Sequence, residues 1–251
     1  MNCWKGRSPT LPKQAETQTR VTLELCTENV AGVLAAGAAG AHRIELCSAL
    51  AEGGVTPSWG LFQQAKARSR LPIHVLVRPR AGDFCYSDLE LAVMLEDATQ
   101  FREAGAAGLV FGTLTPDGAL DLLAMKRLMA AADPLPVTFH RAFDVCREPF
   151  KVLEQLVALG VTRLLTSGQQ PDALAGLSRL AALNEQAAER IVIIAGGGVR
   201  VSNAAQIVRE TGVSELHFSA QQPAQLSFLP FAFGSPAFTD AAAVEALARR
   251  V

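Results

Sequence analysis

An α/β fold, with eight parallel strands closed into one barrel, is what this sequence predicts, on three observations. Eight short apolar runs alternate with eight longer helix-like stretches, the pattern of repeated βαβ units and a parallel sheet. One parity of many runs is polar: Leu23-Glu24-Leu25-Cys26, Ile44-Glu45-Leu46-Cys47 and Glu215-Leu216-His217-Phe218-Ser219 alternate apolar residues with carboxylate, thiol, imidazole or hydroxyl. Side chains alternate across a strand, so the apolar set packs under helices and the polar set shares the opposite face. The length, 251 residues, suits one eight-stranded barrel. An open doubly wound sheet is the alternative. Eight units in one domain favour closure, as a TIM (β/α)8 barrel with the polar face inside.

Strand one spans 21–26 and precedes the Ala/Gly-rich helix 30–38. Strand two, 42–47, leads through the turn Glu52-Gly53-Gly54-Val55-Thr56-Pro57-Ser58 into a helix ending near Ser69. Strand three, 73–78, runs into a long loop, 79–87, and a helix to Ala104. Strand four is 108–112 with helix 120–132, strand five 137–141 with helix 149–159, and strand six 163–166 with helix 172–183. Strand seven, 191–194, has a short helix after Val201, and strand eight, 215–218, comes ahead of a last helix over 239–250. Gly40, Gly105, Gly160 and Gly212 stand just before strands two, four, six and eight, where glycine suits the left-handed end of a helix. Residues 1–20, polar and carrying Pro9 and Pro12, read as a flexible tail outside a single domain of 21–251. The segment 221–239, rich in Phe and Pro without periodicity, either caps the barrel or contacts another subunit.

Hydrophobic residues make up 49% and charged residues 19%, enough apolar content for a large core and unlike a disordered chain. Net charge is −1 with no basic block, which argues against nucleic-acid or anionic-membrane partners. No apolar stretch reaches membrane-spanning length, and residues 1–20 lack the apolar centre of a secretory signal, so the expected location is the cytoplasm. Five cysteines, an odd number without a C-x-x-C, argue against a disulfide framework and a structural zinc site.

In a barrel of this kind functional groups collect at the C-terminal strand ends. Parity turns Glu24, Glu45, Arg78, His140 and His217 inward. An unpaired buried ion costs on the order of several kcal/mol, so these charges pair with one another or with a ligand. The plain reading is a self-satisfied polar network. The functional one is an enzyme acting on a small anionic or phosphorylated metabolite. Arg78, Arg80 and Asp83, in and beside the loop after strand three, hold a carboxylate or phosphate through forked donors, or form a clamp that fixes the loop. Gly196-Gly197-Gly198 follows strand seven, where barrel phosphate sites gather, although a tight turn explains it nearly as well. Ser167 and His217 join the ligand-binding candidates. Glu45, His140 and Asp144 are candidates for proton transfer, with Arg141 beside them. His140 and His217 suit an acid, a base or a metal ligand, or a histidine bonded to a buried carboxylate. His42 and His74, at strand starts, are assigned no function. Cys26 and Cys47 end adjacent strands, which lie about 4.8 Å apart, on the inward parity. Two thiolates there suit Cu(I) or zinc. Against this, barrel stagger separates inward residues of adjacent strands into layers, and cysteine is a common buried filler.

Several blocks at matched spacing carry a resemblance. Arg43-Ile44-Glu45-Leu46-Cys47, the turn Glu52 to Ser58, the loop Arg78 to Ser87, Thr138-Phe139-His140-Arg141-Ala142-Phe143-Asp144 and Leu165-Thr166-Ser167-Gly168-Gln169 are together similar to the signature blocks of the CutC copper homeostasis family, over residues 21–220. The resemblance implies a TIM barrel, a cytoplasmic location, homodimers or higher homo-oligomers, and an association with copper. It carries the family's Cu(I) ligands onto Cys26 and Cys47, with a nearby histidine as a possible third. No enzymatic reaction comes with it, so whether the chain is an enzyme stays open. The N-terminal extension and the Phe/Pro-rich segment after Ala220 depart from the family pattern.

Overall fold

A computed structural model describes residues 21–223 and 237–251; the expected tail with Cys3, and residues 224–236 of the Phe/Pro-rich segment, lie outside the described residues. Strands and helices alternate as β1 Thr22–Thr27, α1 Val30–Ala38, β2 Arg43–Leu46, α2 Trp59–Arg68, β3 Ile73–Leu76, α3 Asp88–Glu103, β4 Gly108–Phe111, α4 Leu122–Ala132 and β5 Val137–Phe139. They continue as α5 Pro149–Ala158, β6 Arg163–Thr166, α6 Leu177–Ala187, β7 Val192–Gly196, α7 Ala204–Thr211 and β8 Glu215–Phe218. Every strand runs parallel to the next, and β8 pairs with β1, so the sheet closes on itself. This is the TIM barrel the alternation predicts.

Local chemistry sets the helix ends. Asn29, Ser58, Asp121 and Asp240 each accept a backbone N–H from the first turn of the helix that follows, and Ser87 with Glu90 forms a reciprocal capping box on α3. Pro149 opens α5, where a missing N–H costs nothing. The four glycines before β2, β4, β6 and β8 all take positive φ, as their position requires. Outward residues such as Leu25, Ile44, Leu109 and Phe139 are fully buried beneath Phe62, Met94, Met125 and Leu153 of the helices.

Three boundaries differ from expectation for local reasons. β3 ends at Leu76 and β5 at Phe139, so Arg78, His140 and Arg141 stand just beyond the ladder; Arg141–Val145 coils into a 3-10 turn. α6 starts at Leu177 instead of residue 172, because the Asp172 side chain accepts from Ala175 N–H and closes a separate turn. After β8 a short antiparallel ribbon, β9 Gln221–Pro223 with β10 Ala237–Thr239, returns the chain to α8 Ala241–Ala248. The sequence suggested no ribbon there.

Inside the barrel, register puts His217 of β8, Glu24 of β1 and Arg43 of β2 in one row. Arg43 forks between Glu24 and Glu215, and His217 Nδ1 meets Glu24 Oε1 at 2.8 Å. Above this row Cys26, Cys47, Leu76 and Val110 form a small apolar cluster separate from the main core. Glu45 stands in register with Cys26, so this upper layer mixes one buried carboxylate with the thiols and apolar side chains. Replacing Arg43 by Met strips the cation from two buried carboxylates and should cost about 3–5 kcal/mol in urea denaturation. Arg190→Ala, which breaks a solvent-exposed pair with Glu154, should cost far less. Equal costs for the two would mean that the interior network contributes nothing.

Candidate functional site

The C-terminal mouth of the barrel opens into a cavity of about 820 Å³. Cys26, Glu45, Arg78, His140, Arg141, Gly197, Gly198 and His217 line it; Arg80, Asp83, Asp144, Ser167, Gly196 and Cys47 do not. The flanks of the Phe/Pro-rich segment, Ala220 to Gln222 and Asp240, also form wall.

Several sequence candidates are occupied in holding loops. Arg78 donates from Nη1 to the Gly54 and Glu52 carbonyls at 2.7 and 3.1 Å, and from Nη2 to the Gly82 carbonyl at 2.9 Å. It thereby ties the β2 and β3 loops together while its guanidinium lies over Phe84, 5.1 Å from the ring centroid. Arg80 binds Glu90, Asp83 and the Cys85 carbonyl, and Asp83 faces solvent. Asp144 accepts from Arg141 Nε at 2.7 Å and from the Ser167 and Gln169 N–H groups at 3.0 and 3.2 Å. The Thr166 and Ser167 hydroxyls complete its shell. Four residues thus converge on one carboxylate, which pins β6 to the turn after β5.

The groups left facing the cavity are fewer. His140 packs its ring at 4.9 Å from Phe84 and accepts the Ala142 N–H on Nδ1 at 3.2 Å, so the neutral ring carries its proton on Nε2. Burial and the Arg78 charge push its pKa down to about 3. Gly112 leaves room for it, since a Cβ there would lie 2.7 Å from Nδ1. Glu45 is buried, accepts the Cys26 thiol on Oε1 at 3.3 Å, and has no partner for Oε2 among the described residues. Burial and the charge of Glu24 raise its pKa. Glu24 moves the other way: burial notwithstanding, the His217 hydrogen bond and Arg43 hold it well below the usual carboxylate range. The charges of Glu45 and Glu24 raise His217 against its own burial.

Cys26 and Cys47 meet with their sulfurs 3.6 Å apart. Cys26 stands opposite Glu45 in register and Cys47 lies two residues further on, just past the end of β2, so the stagger makes the pair diagonal without separating the sulfurs. The Cys47 contact, burial and Glu45 push the Cys26 thiol well above its ordinary range. Of two residues absent from the sequence candidates, Arg43 turns out to hold Glu24 and with it His217, and Glu215 holds Arg43. Parity shows both, two residues from Glu45 and His217, but attention to strand ends alone passes over them. His74, at its strand start, also points inward and is buried; burial lowers its pKa to about 4.

Residues 21–222 match the profile of the CutC family. A family protein CutC from Bacteroides thetaiotaomicron is 50% identical over 200 residues, 79% of this chain and 80% of that protein. One from Mesorhizobium japonicum is 49% identical over 205 residues, 81% and 80% of the two chains. The crystal structure of CutC from Streptococcus agalactiae, named there for copper homeostasis, superposes with a TM-score of 0.76 at 39% identity, covering 78% of this chain and 97% of that one. An aldolase, QR15, matches at 13% identity with a TM-score of 0.60, a likeness of fold alone. Among the described residues no helix is long and apolar enough to cross a membrane.

A histidine held neutral by burial must take up a proton when the chain unfolds in acid. With pKa about 3 folded and 6.5 unfolded, His140 contributes stability that is complete above pH 6.5 and is lost as pH falls toward 3. Between pH 7 and pH 4 the wild type should lose roughly 3 kcal/mol more than His140→Gln in urea denaturation. Parallel pH profiles would show that this histidine is not the linked group.

Proposed function

The chain belongs to the CutC family, and from that premise we propose that it binds Cu(I) as cargo through the thiolates of Cys26 and Cys47, in the copper homeostasis of the cytoplasm. The observation that carries this reading is the 3.6 Å between the two sulfurs. With metal–thiolate bonds of about 2.3 Å, one shared ion would sit between them at an S–metal–S angle of roughly 100°. Thiolates are the donors a soft ion selects, and the apolar contacts of Leu76 and Val110 keep the pair dry. Cys26 borders the cavity and offers a way in; Cys47 is sealed behind it. His217 is the nearby histidine. The cysteines of the described residues are all free thiols, as a reducing compartment requires. The homo-oligomer the resemblance implies belongs to the same reading. Its direct measure is a solution mass above that of one chain.

Anaerobic Cu(I) titration against a strong competing chelator tests the site. Cys26→Ser and Cys47→Ser should each weaken binding by at least about 100-fold, the upper end of what even an outer-shell change costs. Affinity should also fall with pH, since binding releases thiol protons. Unchanged affinity in both variants removes the assignment.

A second reading, an enzyme site for a small anionic or phosphorylated metabolite, is favoured by the cavity itself. About 820 Å³ is far more than one ion needs, and its wall carries Arg200 beside Arg78 and Arg141, whose donors are engaged by loop carbonyls and Asp144. Gly197 and Gly198 take positive φ at the rim, where backbone N–H groups can turn toward an anion. Inorganic phosphate at millimolar concentration should raise the thermal midpoint of the wild type and raise it less in Arg200→Gln. No shift in the wild type would end this reading.

A further inference from the structure

We propose that the floor of the cavity is a mixed-donor site for a borderline divalent cation such as Zn2+, held by the Cys26 thiolate, the Glu45 carboxylate and His217 Nε2. It goes beyond the copper reading, sharing Cys26 with it but having no need of Cys47. One ligand atom from each of the three residues lies within 4.8 Å of the others. Cys26 Sγ is 3.3 Å from Glu45 Oε1, and His217 Nε2 is 4.0 Å from the same oxygen. Nitrogen and oxygen ligands on a tetrahedral zinc stand roughly 3.4 Å apart, so the histidine and carboxylate need close by only about 0.6 Å.

The surroundings are those a cation site needs. The residues come from three adjacent strands, β8, β1 and β2, whose registers keep them in place. Glu24 takes the other face of the imidazole at 2.8 Å through Nδ1, the carboxylate–histidine arrangement that aims a ring at a metal. Glu24 is itself held by Arg43, so the aim is rigid. Glu45 Oε2 is buried and has no partner among the described residues, an acceptor that a cation would satisfy. Imidazole nitrogen and carboxylate oxygen are not the donors Cu(I) selects, whereas with one thiolate they suit zinc. Three protein ligands, all bordering the cavity, leave the fourth position open to it. That is the layout of a zinc that receives a ligand, in contrast to the closed four-ligand site of a structural one. Because both ions need Cys26, each excludes the other.

Competition of the whole chain with a chromophoric chelator, with Zn2+ alone as probe, tests the site. One ion per chain is expected. Cys26→Ser and His217→Gln should each weaken binding by more than about 100-fold and Glu24→Gln by about 10–100-fold, while Cys47→Ser changes it by no more than about 3-fold. Cu(I) affinity in the same proteins should depend on Cys47 as strongly as on Cys26 and far less on His217, so the two readings fail separately. Should a barrel variant not fold, Co2+ in the wild type and in Cys47→Ser gives a second readout. Both should show a thiolate-to-cobalt band with the intense visible absorption of four-coordination. Zn2+ loss in Cys47→Ser as complete as in Cys26→Ser, absence of stoichiometric Zn2+, or a cobalt spectrum without thiolate would each overturn the proposal.

Discussion

Arg43 bridges Glu24 and Glu215, two carboxylates buried in the lumen, and the interior of the barrel depends on that bridge. Glu24, Glu215 and Arg43 are nearly sealed from solvent, so an unbalanced charge among them would be costly. With the guanidinium in place, Glu24 stays ionised and anchors His217, and His217 in turn faces Glu45 and Cys26. Fold and site therefore share one set of ion pairs. Apolar layers alone would fill a lumen at lower cost, but they would aim nothing at the mouth.

The rim is built on a different principle. Arg78, Arg80 and the Arg141–Asp144 pair turn long loops into rigid walls by saturating carbonyls and carboxylates, which subtracts them from the supply of free donors. What remains available is small and specific: one carboxylate oxygen of Glu45, a neutral imidazole at His140, a histidine aimed by Glu24, and one of two paired thiols. A soft ion, a divalent cation and a small anion make different claims on this group, and the thiol of Cys26 is where the two metal claims collide.

Much of the architecture was legible in the chain because strand alternation is a strong constraint. Polar residues at every second position of β1, β2 and β8 announce an interior that is not purely apolar, and the glycines before alternate strands mark helix ends that the backbone angles bear out. The site was legible only in outline. An arginine that clamps carbonyls and one that binds a ligand look alike in sequence, since the difference lies in how many carbonyls the folded loops present; Arg78 and Arg80 illustrate this. Stagger argued against the meeting of Cys26 and Cys47, yet a diagonal step across two strands brought the sulfurs together. Arg43 and Glu215 carried the right parity but stood at the strand starts, where function is not usually sought. The start of α6 and the β9–β10 ribbon depended on a side-chain turn at Asp172 and on pairing across a long insertion, neither of which periodicity reports.

The seam of the barrel lies between the first strand made and the last. Glu24 and His217 are 193 residues apart in the chain, and the ring of strands closes only when β8 arrives beside β1. A growing chain still on the ribosome owns Cys26, Cys47 and Glu45 long before it owns the histidine. Any ion it catches early sits in a half-built cradle, without the aimed imidazole and without the roof that the C-terminal residues supply. The histidine side of the cavity floor is thus completed only when the last strand of the barrel docks against the first.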